Sequence, residues 1–328
     1  MSLSLEEMID LPHIGMLLYT ALELNLPQQL QYHSKTVAEL CRFSRVKPDK
    51  LSRLLFTLET AGIFAYDSSN EEWSNNSASS VLLDPEQRAL YMWDLHPFNY
   101  CILSEMLSSL RSQTTASELA LQETFQHFVK SDKRIFELYM QSLKAFTKAV
   151  APLIKSKIDL TGTKNLLEIG REDATLLCEI LNTRPGIHGD VFEEASAVEY
   201  AGNTILEHHL EGRIGVIPGD VENGVPEGFD TVIMKSFLHN WDDDYVRMIL
   251  RNCKKAMAKN SQLYIIEMVL DKNSDENLIE RLSNLQLMLY MNGKERSLQE
   301  LRDLLSEAGF NFVSSTSVAG LKVIKATA

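Results

Sequence analysis

Three acidic residues in the second half of the chain stand where a nucleoside could be held. Glu168 lies in the apolar run Leu166-Leu167-Glu168-Ile169-Gly170, and Glu193 ends Gly189-Asp190-Val191-Phe192-Glu193. Asp220 follows Arg213-Ile214-Gly215-Val216-Ile217 after Pro218-Gly219. Each run reads as a strand, and in open α/β sheets ligands sit beyond the carboxyl ends of the strands. A carboxylate after the second strand can accept from both ribose hydroxyls, and one beyond the third can accept from an exocyclic adenine amine. A single acid of this kind is explained equally well as a cap on the next helix; three in consecutive units point to an adenosine site. The segment Met234-Lys235-Ser236-Phe237-Leu238-His239-Asn240-Trp241-Asp242-Asp243 is more specific. Taken alone, His239 reads as a hydrogen-bonded histidine before a helix, and Asp242-Asp243-Asp244 as acids at that helix's N-terminus rather than a cation site.

The elements that position these residues follow from periodicity. From residue 165 onward, strands and helices alternate, the signature of a parallel α/β sheet. Thr175 to Leu181 reads as the first crossover helix, Phe229 to Met234 as the fourth strand and Gln262 to Glu267 as the fifth. Two final strands, Asn311 to Val318 and Leu321 to Ala326, turn near Gly320. Residues 1 to about 115 read as mainly helical. Thr36 is an N-cap with Glu39 at the capping-box position, and Pro48 opens a helix stopped by Gly62. Ile63 to Tyr66 and Glu72 to Ser74 then form a hairpin across Asp67-Ser68-Ser69-Asn70. Helix, helix, hairpin is a winged-helix order. The stretch from 116 to about 158 reads as helical throughout, with Phe136, Tyr139, Met140 and Leu143 on one face.

Composition bounds the partners. With 328 residues, two domains are expected, 1–115 and 116–328. The net charge of −13 opposes binding to nucleic acid or to anionic membranes, so the winged helix is read as a dimerisation or packing element. No run approaches the roughly 20 apolar residues of a bilayer span, and the N-terminus lacks a secretory pattern. Cys41, Cys101, Cys178 and Cys253 are far apart and form no C-x-x-C, so a reduced, cytoplasmic protein without a cysteine–zinc motif is expected.

Together these features resemble the S-adenosylmethionine-dependent small-molecule O-methyltransferases, the plant caffeate type and its bacterial relatives. The resemblance spans essentially the whole chain. It rests on the helical N-terminal domain, on Lys235-x-x-Leu238-His239-x-Trp241-x-Asp243, and on Ile265-Ile266-Glu267-x-Val269-Leu270. Gly293-Lys294-Glu295-Arg296-Ser297 and Ala308-Gly309-Phe310 extend it. The fold it implies is a class I methyltransferase: a Rossmann-like, seven-stranded α/β sheet preceded by a winged-helix dimerisation domain. It implies a homodimer that methylates a hydroxylated, aromatic small molecule in secondary metabolism. His239 is then the general base, with Glu267 and Glu295 flanking it. Glu168, Gly170, Glu193, Asp220, Val221 and Lys235 would face S-adenosylmethionine; Phe136, Met140, Asn284 and Leu287 would line the acceptor pocket. No metal is required.

The chain departs from the family on the cofactor side. In Glu168-Ile169-Gly170-Arg171-Glu172-Asp173-Ala174 only the first glycine of the G-x-G-x-G turn remains, and Glu172 and Ala174 occupy the later positions. A Cβ there narrows the approach to the main chain. Val221 and Glu222 follow Asp220, where the family covers adenine with hydrophobic side chains. Three readings are open: a methyltransferase with a rearranged loop; a protein using the same histidine and acids for elimination, decarboxylation or pericyclic chemistry; and a noncatalytic binding dimer.

Overall fold

The computed structural model describes residues 4–170, 173–270 and 278–328. The chain divides into two compact units. The first takes Met1–Cys101 with Glu137–Ala145, the second Ile102–Phe136 with Phe146–Ala328, so residues 102–115 pack with the second.

In the first unit the Thr36 hydroxyl accepts from the Glu39 N–H while the Glu39 carboxylate accepts from the Thr36 N–H, which starts the helix Val37–Ser44. Pro48 opens the helix Pro48–Thr60. Three short strands, β1 (Lys35–Thr36), β2 (Ala65–Asp67) and β3 (Glu72–Ser74), pair antiparallel in the order β1-β3-β2. β1 has two residues, too few for any alternation to register in sequence. Leu40, Leu51, Leu55, Leu58, Phe64 and Trp73 form the core against which helices and hairpin close. At about 1.5–3 kcal/mol for each large side chain buried, this cluster is enough to hold so small a sheet.

The second unit carries a seven-stranded sheet. Its strands are β4 (Asn165–Ile169), β5 (His188–Glu193), β6 (Ile214–Pro218), β7 (Thr231–Lys235), β8 (Gln262–Met268), β9 (Asn311–Val318) and β10 (Leu321–Thr327). Their order is β6-β5-β4-β7-β8-β10-β9. The first five are parallel; β10 runs antiparallel to both β8 and β9. Leu166, Leu167, Val232 and Ile233 are buried, as strands covered on both faces by helices require. The strand order reverses between β4 and β7, which places a crevice at the carboxyl ends of those strands. Gly219 follows β6 because a Cβ there would meet the Phe192 ring at 2.2 Å, so the chain lies directly on that ring.

The segment after residue 115 is helical in three pieces, Ala116–Leu121, Phe125–Ser131 and Lys133–Lys155. Gln122, in a left-handed conformation, ends the first, and Thr124 caps the second. Among the described residues no helix is long and apolar enough to cross a membrane.

Candidate active site

The site is built where β7 ends. Ser236 takes a left-handed backbone (φ 48°), and its N–H donates to Ile266 O at 2.9 Å, which turns the chain sharply off the sheet. A 3₁₀ turn, Leu238–Asn240, follows. The Asn240 amide closes it on the Ser236 and Phe237 carbonyls, both at 3.2 Å. Underneath lies Glu267, on β8. Its Oε1 accepts from the Phe237 N–H at 3.0 Å and the Leu238 N–H at 2.7 Å. One carboxylate thereby fixes the backbone that presents His239.

His239 directs Nδ1 at two acids. Glu295 Oε1 lies 3.1 Å away and Glu267 Oε2 3.5 Å; both carboxylates are buried, and the histidine side chain is 19% exposed. Glu295 enters on the loop after the helix Leu278–Met291. That helix holds it twice, through Ser283 Oγ donating to Oε1 at 3.0 Å and Asn284 Oδ1 accepting from the Glu295 N–H at 2.9 Å. Two acceptors on one side of the imidazole place the proton on Nδ1 and leave the Nε2 lone pair to take another. Burial pulls the histidine pKa down, but the Glu267 charge, the hydrogen bond to Glu295 and the Glu295 charge outweigh it, so the net direction is upward. Burial also raises the Glu267 pKa, opposed by His239 and reinforced by Glu295. The three ligand atoms lie within 4.8 Å of one another, close enough to ligate a cation; with main-chain donors on Glu267 Oε1 and Glu295 on Nδ1, the same arrangement can work as an acid–base relay.

Beside this relay a cleft of about 240 Å³ is lined by Gly170, Asp220 and Val221, together with Phe192, Phe237, Trp241 and Tyr245. Gly170, Asp220 and Val221 thus line one cleft. Asp220 also caps its own turn, accepting from the Glu222 N–H at 2.9 Å. Glu168, Glu193 and Lys235 are all buried at or next to the carboxyl ends of β4, β5 and β7. Glu168 is buried and accepts from the Leu177 N–H at 3.1 Å, the helix-capping role that any single strand-end acid was open to. Glu193 is 1% exposed; the acid described in the cleft wall is its neighbour Glu194, paired with Lys130. Lys235 is buried, its ammonium 5.0 Å above the Phe146 ring, and is not the surface lysine its type alone implies.

Ala174 bears on the missing glycines. It keeps the left-handed conformation of a glycine (φ 67°), is fully buried, and packs in the core cluster with Leu166, Leu177 and Ile205. Glu172 lies outside the described residues. The cleft wall beside Val221 and Glu222 carries an aromatic pair. Trp241 and Tyr245 stack at 4.1 Å and 17°, and the Tyr245 hydroxyl donates to Glu222. Their spacing, i and i+4 across a helix start capped by Asp242, was the available signal. Of the expected acceptor residues, Phe136 meets Tyr200 edge-on at 5.3 Å, Leu287 is buried, and Asn284 is engaged by the Glu295 backbone; Met140 belongs to the first unit.

Comparison with known proteins agrees with this geometry. The family model of the O-methyltransferase domain matches residues 101–311. A mitomycin biosynthesis 6-O-methyltransferase of Streptomyces lavendulae is 27% identical over 296 residues, covering 89% of this chain and 84% of its own. The 3-O-methylredipecamine 2-O-methyltransferase of Carapichea ipecacuanha is 29% identical over 322 residues, covering 91% and 87%. Among solved structures, the mitomycin 7-O-methyltransferase MmcR superposes with a TM-score of 0.93 at 24% identity, over 98% of this chain and 96% of that one. NcsB1, solved with S-adenosylmethionine and 2-hydroxy-5-methyl naphthoic acid, gives 0.86 at 22% identity, over 100% and 99%. A class I α/β sheet, a histidine between two buried acids and a family match over most of the second unit converge: the chain belongs to the O-methyltransferase domain family.

Proposed function

We propose that the protein methylates a hydroxyl group of an aromatic small molecule with S-adenosylmethionine as donor, His239 acting as general base. The observation that carries this is the direction of Nδ1, held on two buried carboxylates so that Nε2 faces away from them. A phenol is a poor nucleophile until its proton is removed, and a positioned imidazole removes it near neutral pH. Glu295 and Glu267 stabilise the imidazolium that results, and they hold the ring so that no reorientation precedes proton transfer. When bound, S-adenosylmethionine supplies a methyl group activated by the sulfonium, an electrophile needing only alignment and exclusion of water. Gly170, Asp220, Val221 and the Trp241–Tyr245 pair are the residues proposed to hold it. They fit: Gly170 presents backbone without a side chain, Asp220 offers acceptors, and the stacked rings offer a flat apolar face. No step needs a metal.

The reading without methyl transfer drew on the altered loop. Ala174 gives it no support, since its methyl group belongs to the core cluster. Aromatic acceptors accord with the relatives, whose names include mitomycin and phenazine methyltransferases, and with the naphthoic acid bound to NcsB1. Phe136 and Leu287 are the proposed acceptor walls, and Asn284 orients Glu295. We read the first unit as a winged-helix module that joins two copies of the chain; Leu5, Met8, Ile9 and Leu11 on the helix Leu5–Glu23 expose apolar area that such pairing would cover. A cytoplasmic setting accords with four free cysteines.

The test is turnover with methyl-labelled S-adenosylmethionine against hydroxynaphthoic acids, hydroxyquinones and simple phenols, read as labelled methyl ether. His239→Gln should abolish transfer while the affinity for S-adenosylhomocysteine stays within twofold. Transfer that persists in this variant refutes the assignment of the base.

A further inference from the structure

We infer that Arg296 is the positioning residue that sets both the His239–Glu295 pair and the Trp241 wall of the cleft. It follows Glu295 directly in sequence, yet its side chain serves the opposite side of the loop. The side chain is 1% exposed, and every nitrogen of its guanidinium is used. Nε donates to Asp243 Oδ1 at 2.9 Å, Nη1 to Leu238 O at 3.0 Å, and Nη2 to Trp241 O at 2.7 Å, with a further contact from Nη2 to Asp243 Oδ1 at 2.8 Å. Leu238 and Trp241 are the residues on either side of His239-Asn240. The fork therefore clamps both ends of the turn that presents the base.

The same loop grips the middle of that turn. The Lys294 N–H donates to His239 O at 3.0 Å, and Gly293 lies so close that a Cβ on it would stand 2.2 Å from His239 O. Lys294 Nζ also reaches Asp243 Oδ2 at 3.1 Å, which fixes the acid that receives Arg296. The carbonyls of Leu238, His239 and Trp241 are all held from residues 294–296, the stretch that also supplies Glu295. Displacing the loop moves the carboxylate and the imidazole relative to each other, and it releases the Trp241 backbone from which the ring stacks on Tyr245. Lysine cannot substitute, because three acceptors in different directions need a planar fork of donors.

This inference rests on the reading of His239 as base and of Trp241 as a cofactor wall, so its test uses no turnover. The His239 pKa is followed by NMR in histidine-labelled protein, the resonance assigned with His239→Gln, and S-adenosylhomocysteine affinity is measured by calorimetry. Arg296→Met, and the milder Asp243→Asn in case the methionine variant does not fold, should lower the His239 pKa by half a unit or more. Both should weaken S-adenosylhomocysteine at least fivefold; Arg296→Lys should recover less than half of either loss. Arg247→Ala, which breaks surface ion pairs with Asp244 on its own helix and with Glu307 on the helix Leu298–Glu307, should change neither. A folded Arg296→Met or Asp243→Asn protein with both quantities at wild-type values overturns the assignment. So does a variant whose melting temperature alone falls, since that is the mark of a merely structural arginine.

Discussion

Replacing Glu295 by Gln removes a charge from the closer side of His239 and leaves the shape of the side chain intact. The glutamine carbonyl still accepts from Ser283 Oγ, and Glu267 still faces Nδ1 at 3.5 Å. What is lost is the ionic character of the 3.1 Å bond to Glu295. A hydrogen bond to a charged partner is worth about 1.5–3 kcal/mol. If that stabilisation is fully developed only once the imidazolium forms, transfer slows by roughly 10- to 150-fold, at tenfold for each 1.36 kcal/mol. A single opposite charge at this range moves a pKa by about 1–3 units, and with Glu267 remaining the lower end applies. The sign follows from the direction of the shift. In the wild type the acids hold His239 above its ordinary value, so the reactive neutral form is depleted as pH falls through that raised pKa. In Glu295→Gln the acidic limb of kcat/KM should move about one unit toward lower pH. The deficit is therefore largest on the alkaline plateau and shrinks in acid. Rates measured from pH 5 to 9 with any acceptor that turns over give both quantities. An acidic limb that stays in place with an unchanged plateau refutes the relay.

Two further outcomes test the backbone of the site. Gly293→Ala puts a methyl group against main-chain atoms, 2.2 Å from His239 O and 2.9 Å from the Asn240 carbonyl carbon, which cannot yield like a flexible side chain. Overpacking of this kind costs about 1–3 kcal/mol, so thermal-shift measurements should show a melting point several degrees lower, and an unchanged one contradicts the packing described. Ala174→Gly should leave S-adenosylhomocysteine affinity within twofold, because the methyl group it removes lies in the core. Relief of the left-handed strain on alanine, about 1–2 kcal/mol, nearly offsets the lost methyl burial and the gain in unfolded-state freedom. Fivefold tighter binding would show that the alanine does narrow the loop.

What could be read from the sequence, and what could not, divides along a physical line. The parallel sheet was legible because strands buried on both faces must be continuous apolar runs, and the five from Leu166 to Glu267 are separated by helical periods. His239, Glu267 and Glu295 were legible only through their matched motifs: 56 residues separate the first from the last, and nothing local says that a helix and a β-strand bring them within 3.5 Å. Of the strand-end acids, Glu168 accepts from the Leu177 N–H, and Glu193 is buried at the end of β5 next to Glu194, which lines the cleft. A glycine is needed where a side chain would point at the ligand or where the backbone cannot bear one. Ala174 meets neither condition, because its φ is tolerated and its Cβ turns into the core. The aromatic side chains of the cleft wall come not from the residues after Asp220 but from Trp241 and Tyr245, at the start of a helix one strand later. Glu222, which looked like an intrusion, is the acceptor for the Tyr245 hydroxyl. The fork of Arg296, braced by Asp243, ties the Trp241 backbone of the cleft wall to the turn that carries His239.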